Sequence, residues 1–479
     1  MTTRVQQPEQ TAVPATIHLL RLLGKLLVLA YALPEMRFGL NGFSYPAPTF
    51  GIMNPTGAPY FIEVVTLGIL ALFALAFLVH VLRIKSRWYH GVATIMIVFS
   101  AMSMIIGNFS MFQLDGSQFG QARFVFESMI LFIVIASVPW RQKDFVHIIW
   151  AFSAVGVFHA ITLILSYVLP YSMTSTVFTI LPSIPVFRYA GLFSQPSRAS
   201  VILTAIFMMQ VPFILPANPI RMSRRVIAGG VALLIFVGLW IAQTRASYLA
   251  IAAAGAVFMY EQRKNRVNNF MLVFIAGFML FLVLTSFGLL EVGLSRFSEV
   301  VETSSTATMG AGGGIDANSA FDILDESRGY IWEVAFQAMT DYPFGMGFGA
   351  LFDYSGDLHI PHAHNMFLQW GVQFGFVGLL LLMYLIVRSL AMNRIKIQSD
   401  EDISSLLMAV RLAVISYLVS GIFEPFLNTN SGPFFWLMLG LIVANYEKDI
   451  ALPLVAVPET PRVRARIQPT NATPLIEKK

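Results

Sequence analysis

The chain has 479 residues, of which 56% are hydrophobic and only 12% charged. A soluble globular chain carries about 25% charged residues, so this composition excludes one. There is no cysteine, which excludes disulfides, thiolate zinc sites and cysteine nucleophiles. The net charge of +5 is mild and its basic residues are scattered over short loops, so nothing points to a nucleic-acid partner.

The apolar residues come in blocks near 20 long, the length that crosses about 30 Å of hydrocarbon. They predict an all-α polytopic membrane protein with about twelve spans: 17–33, 60–82, 91–106, 123–139, 145–169, 199–215, 226–243, 246–260, 269–290, 366–387, 405–423 and 433–446. Arg21 and Lys25 interrupt the first block, so it reads as an uncleaved helix and not a signal peptide. Lysine and arginine in the short loops set the orientation. One side carries Arg83, Lys85, Arg87, Arg141, Lys143, Arg221, Arg224, Arg225, Arg263, Lys264, Arg266, Arg388, Arg394 and Lys396. The other carries Arg37, Arg123, Arg188, Arg198, Arg245, Arg296 and Arg328. The bias places both termini inside, and it marks the outside arginines as residues needing a reason. Residues 1–16 are then a cytoplasmic N-terminus, 17–290 hold nine spans, 291–365 form one long outside loop, 366–446 hold three spans, and 447–479 read as a disordered cytoplasmic tail.

The loop begins with a low-complexity stretch, TSSTATMGAGGGIDANS. DESRGYIWEVAFQAMTD then reads as a short helix capped by Asp325 or Ser327, with Trp332, Ala335, Phe336 and Met339 on one face. This puts Arg328 in a first helical turn, where the free N–H groups and a bidentate guanidinium both favour an anion. A local pair with Asp325 or Glu326 is the plainer reading. GMGFG, with Gly345, Gly347 and Gly349, lacks the strand–loop–helix setting of a nucleotide loop and reads as a structural turn.

His362-Ala363-His364-Asn365 is the strongest local signal. Histidine is the side chain that titrates near neutrality, so either ring suits general-base work. Two histidines one residue apart also suit a metal, but the sequence offers no cysteine and no clear third ligand, so none is assigned. Arg188 and Arg198 flank YAGLFSQPS before the sixth span, and Arg245 lies in the tight turn QTRAS. A charge at that depth needs a partner or a polar cavity, unless it snorkels to the headgroups.

FRYAGLFSQPSRAS, TRASYLA, ESRGYIWEVAFQAMTDYPFGMGFG and HAHNMFLQWGVQFGFVGLLL, in that order, resemble the O-antigen ligase and polymerase family of bacterial membrane glycosyltransferases. The resemblance covers about 187–390. It implies a GT-C-like helical fold, no cofactor, and a metal-independent inverting transfer from a glycan on polyprenyl (undecaprenyl) pyrophosphate at the periplasmic face of the inner membrane. It implies that Arg245 and Arg328 hold the pyrophosphate; Arg198 and Arg188, which flank YAGLFSQPS, are taken as further candidates for it. It implies that His364, or His362, activates the acceptor hydroxyl, supported by Asn365. Two departures stand out. The helix after the HN motif carries Gln369 and Gln373 where many members have an acid, and Gln195-Pro196-Ser197 replaces an Asn-Pro-Asn-like turn.

The first functional reading is a polymerase linking repeat units of an exopolysaccharide or O-antigen, on the strength of the elaborated loop and long tail. The second is a ligase passing finished glycan to lipid A core. The partners implied are the lipid-linked glycan, a glycan or lipid A-core acceptor, membrane lipid and a chain-length regulator. A lipid-linked glycan transporter is the reading from another class. Against it, few charges fall inside the spans, chiefly Glu63, Glu127 and Arg411, and RIKSRWYH lacks a major-facilitator signature.

Overall fold

A computed structural model describes residues 15–32, 88–111, 116–168, 175–181, 184–189, 191, 196–215, 222–242, 244–262, 317–348, 351, 354–355, 362–399, 401–428, 431–444 and 446–447. The expected spans 60–82 and 269–290, the glycine-rich stretch before 317 and the tail after Glu447 lie outside these residues. Every other expected span falls on a helix. The helices are α1 (Ala15–Ala32), α2 (Trp88–Met111), α3 (Gly116–Ser137), α4 (Gln142–Val168), α5 (Pro196–Ile214), α6 (Met222–Ala242) and α7 (Arg245–Glu261). They continue with α8 (Ala317–Asp341), α9 (Met366–Ser399), α10 (Glu401–Gly421) and α11 (Gly432–Val443). Helices α4, α5, α6, α9 and α10 are long and apolar enough to cross a membrane, and α2, α3, α7 and α11 contribute shorter apolar helices. An α-helix satisfies its own backbone polar groups, which hydrocarbon cannot do. The chain is an all-α polytopic membrane protein.

Short strands accompany the helices. β1 (Trp140–Arg141) pairs in parallel with β4 (Tyr446–Glu447). Glu447, expected to open a disordered tail, is therefore the last residue of a paired strand. β2 (Ser175–Leu181) and β3 (Ile184–Tyr189) form an antiparallel hairpin in the link from α4 to α5. Its sequence, STVFTILPSIPVFRY, is rich in the β-branched and aromatic residues that favour strands.

Helix α5 sits at the centre, nearly buried throughout, against α4, α6, α7 and α10. Helix α11 is buried along its whole length and packs on α3 and α10. Three of the basic residues inside the spans have structural partners. Arg411 of α10 pairs with Glu261 at the end of α7 (3.3 Å) and donates to the Leu390 carbonyl. On α1, Arg21 donates to the Pro139 carbonyl (2.6 Å), and Lys25 pairs with Asp144 of α4 (2.5 Å). The two cations that interrupt the first apolar block thus share the Asp144 carboxylate at the start of α4.

Helix α9 is broken at Gly375, whose backbone (φ 66°, ψ −175°) is open only to glycine. A break of this kind frees carbonyls one turn before it and an amide just after it. The expected structural turn fills them. Met346 N–H donates to the Val372 carbonyl (2.9 Å), Gly347 N–H to the Gln373 carbonyl (3.1 Å), and Phe376 N–H to the Pro343 carbonyl (3.0 Å). Gly345 and Gly347 both take positive φ (91° and 84°), and a Cβ on Gly345 would lie 2.3 Å from the Gln373 carbonyl oxygen. Gly349 lies outside the described residues. Gly375→Ala is expected to destabilise the protein by on the order of 3 kcal/mol, because its Cβ would lie 2.0 Å from the Pro343 carbonyl oxygen. Thermal unfolding in detergent, followed by intrinsic fluorescence, reads this directly.

Candidate active site

The segment before α9 is held from both sides. Asn365 caps the helix: its Oδ1 accepts from the N–H groups of Phe367 (2.9 Å) and Leu368 (3.1 Å). One turn on, Gln369 Oε1 reaches back to the N–H of Ala363 (2.7 Å). Ala363 is buried in a small core with Ala335, Ala338 and Met339 of α8, Met346 and Val372. Between these fixed points His364 takes a left-handed backbone (φ 48°), the sole non-glycine residue to do so among the described residues. The His362 and His364 rings meet edge-on with centroids 4.1 Å apart.

Two distant elements close on this pair. Glu424 follows the end of α10, and its Oε2 lies 3.8 Å from His364 Nδ1. Gly421 lets the two helix ends approach, since a Cβ there would lie 2.1 Å from Met366 Sδ. Arg198, buried in the first turn of α5, is near enough to His362 to act on its charge. Burial, reinforced by the neighbouring His364 and Arg198 and opposed by Glu424, lowers the His362 pKa from 6.5 to about 4. His362 is thus neutral at physiological pH. Its unfolded form binds the extra proton between about pH 6.5 and 4, so stability from this group is lost on acidification through that window.

The turn carrying Arg245 joins the same end of the bundle. Ser200, in the first turn of α5, donates its hydroxyl to Thr244 Oγ1 (2.7 Å), the residue before Arg245. Two helix N-termini therefore lie side by side, each with an arginine in its first turn. Thr244 makes no side-chain cap to α7, while Ser247 N–H donates to the Thr244 carbonyl (3.1 Å); a helix N-terminus of this kind suits an anion.

Three expectations need correction. Arg328 does not stand at a helix N-terminus. Helix α8 begins at Ala317, which puts Arg328 well inside it. Phe321 and Leu324 extend the apolar period back from Ile331 and Ala335, and that continuity prevails over the local caps at Asp325 and Ser327. On the same helix the buried face is Ala335, Ala338 and Met339, while Phe336 is exposed. The third concerns the histidine pair, for which the sequence shows no third donor. Glu424 supplies one: His362, His364 and Glu424 each offer a ligand atom, all within 4.8 Å of one another. The signal for Glu424 lay in the topology, because one span runs inward from His364 and the next returns to Glu424. Arg188 stands on β3 opposite Thr176, on a strand and not in a loop, and that strand packs against α4 and α6.

A neutral, buried histidine beside a second histidine that faces a carboxylate suits acceptance of a proton from a hydroxyl. Arginines at paired helix ends suit an anionic leaving group. A family model described as O-antigen ligase matches residues 230–383. That match covers Arg245, Arg328 and the His362–Asn365 segment and leaves out Arg198 and Glu424. No curated protein matches the chain.

Proposed function

We propose, for a chain whose residues 230–383 match a family model described as O-antigen ligase, that it transfers a glycan from polyprenyl pyrophosphate to an acceptor hydroxyl at the periplasmic face of the bacterial inner membrane. The coarse activity, that of an O-antigen ligase or polymerase in a membrane, follows from the match and the apolar helices. One observation carries the finer reading: Arg198, the Arg245 turn, His362, His364 and Glu424 converge at one end of the bundle. His364 takes the acceptor proton while the hydroxyl oxygen attacks the anomeric carbon. The carbon–pyrophosphate bond breaks on the opposite face, and the electron pair leaves with the pyrophosphate, so the anomeric centre inverts. Arg245 and Arg198 receive the charge of that leaving group, and Arg188 is a further candidate from the matching YAGLFSQPS segment that it flanks. Arg328 joins them on the resemblance of its SRG motif alone. The reaction draws its energy from the donor linkage and runs without a metal or cofactor. His362, neutral and buried, packs against the base and is the second candidate for its role.

Repeat-unit polymerisation is the first reading of the acceptor, on the long loop 291–365. Ligation to lipid A core is the second, favoured by the description of the matching family. The test is deletion of the gene, with cell polysaccharide and lipid-linked glycan resolved on gels. Loss of long polymer with accumulation of single lipid-linked repeats supports polymerisation. Full-length polymer that stays on the lipid carrier replaces it with ligation. Unchanged glycan on both gels refutes transfer, and a donor that builds up on the inner leaflet alone returns the transporter reading.

A further inference from the structure

We propose that Glu424 is a positioning residue for His364, holding the ring through Nδ1 so that Nε2 is bare towards the acceptor hydroxyl. The inference rests on His364 as the base and adds a residue outside the matched segment 230–383. His364 Nδ1 is buried and makes no hydrogen bond, and the carboxylate oxygen 3.8 Å away is the ion-pair partner it has among the described residues. A modest side-chain movement brings that separation into the 2.6–3.2 Å range of a working hydrogen bond, which sites without substrate often lack. Glu424 is placed for this by its own backbone. Phe423 N–H donates to the Ser420 carbonyl (3.1 Å), Phe426 N–H to that of Glu424 (3.0 Å), and the Tyr417 hydroxyl to that of Ser431 (2.9 Å). The first turns of α9 carry Gln369 and Gln373 instead of an acid, and Gln369 is committed to Ala363. The carboxylate absent there in sequence is supplied in space from the end of α10. With Nδ1–H held by a carboxylate the tautomer is fixed, and the imidazolium formed during transfer has a counter-charge beside it.

The same three residues invite a metal, and two observations favour the dyad instead. Ligand atoms around a tetrahedral ion lie about 3.3 Å apart, whereas His364 Nδ1 and Glu424 Oε2 stand 3.8 Å apart. Arg198 already lowers the proton affinity of His362, and it disfavours a second cation in the same way.

Membrane vesicles from a host lacking the native gene, which retains both donor and acceptor, give the assay. Glu424→Gln is expected to lower kcat by about 10- to 100-fold with the KM for lipid-linked glycan unchanged, and Glu424→Asp to recover most of the rate. Glu424→Gln added to His364→Ala is expected to cost nothing further, since Glu424 acts through the ring. A wild-type rate in Glu424→Gln overturns the proposal. So does a raised KM with kcat kept, a Glu424→Asp as slow as Glu424→Gln, or an additive loss in the double variant. Loss of wild-type activity in EDTA with recovery in Zn²⁺ or Mn²⁺ makes the cluster a metal site and also overturns it. If His364→Ala alone keeps its rate, the base assignment fails first, whatever Glu424→Gln does.

Discussion

His364→Ala, made at wild-type level in a host without the native gene, is expected to reduce glycan transfer by about 100- to 10,000-fold, the range that a positioned general base contributes. The loss should fall on kcat, because the ring meets the acceptor hydroxyl and not the lipid pyrophosphate. Donor binding in the same vesicles should persist. The neighbouring variant His362→Ala separates the two rings. His362 is buried, with a pKa near 4, so at neutral pH it is already unprotonated but a weak base. The Brønsted relation makes such a group a poor proton acceptor from a sugar hydroxyl. His362→Ala is therefore expected to cost less than His364→Ala. Equal losses from both, or a dead His362→Ala beside an active His364→Ala, would reverse the assignment.

The bundle was legible because lipid imposes one rule on every span, and blocks of about 20 apolar residues obey it visibly. The break in α9 was less so. GMGFG and the Gly375 region read separately as a turn and a helix, and only their spacing in three dimensions shows that amides of one satisfy carbonyls of the other. The site divides along the same line. His362, His364 and Asn365 are adjacent in sequence, so the motif declared itself. Arg198 and Arg245 were marked by defying the charge bias of their side. Glu424 sits after a different span, and no local pattern ties it to His364. Arg328 failed in the opposite way: a plausible cap nearby outweighed an apolar period that ran through it. Local signals mislead where tertiary packing extends an element past its own best start.

Arg245→Ala and Arg198→Ala are each expected to lower transfer by about 100- to 1,000-fold, the effect of removing one fixed donor from a developing anion. Both arginines belong to first turns of helices whose ends touch through the Ser200–Thr244 hydrogen bond. An anion there meets guanidinium groups and free helix N–H groups together, and the two contributions reinforce each other. Arg198 is buried, 7% exposed, so its removal leaves a polar hollow that water can enter. Lysine should not rescue either position fully, because an ammonium offers one point charge where the guanidinium offers a planar fork matched to phosphate oxygens. The measurement is the release of radiolabelled polyprenyl pyrophosphate from lipid-linked glycan, in vesicles matched for protein. Both variants should show a raised donor KM together with a lowered kcat, since the leaving group carries charge in the bound donor and more as the bond breaks. An Arg245→Ala that releases pyrophosphate at the wild-type rate would remove α7 from the site and leave Arg198 as its principal cation. A drop confined to KM would show that the arginines bind the donor without assisting its departure, and the charge needed for departure would have to come from Arg328 or Arg188.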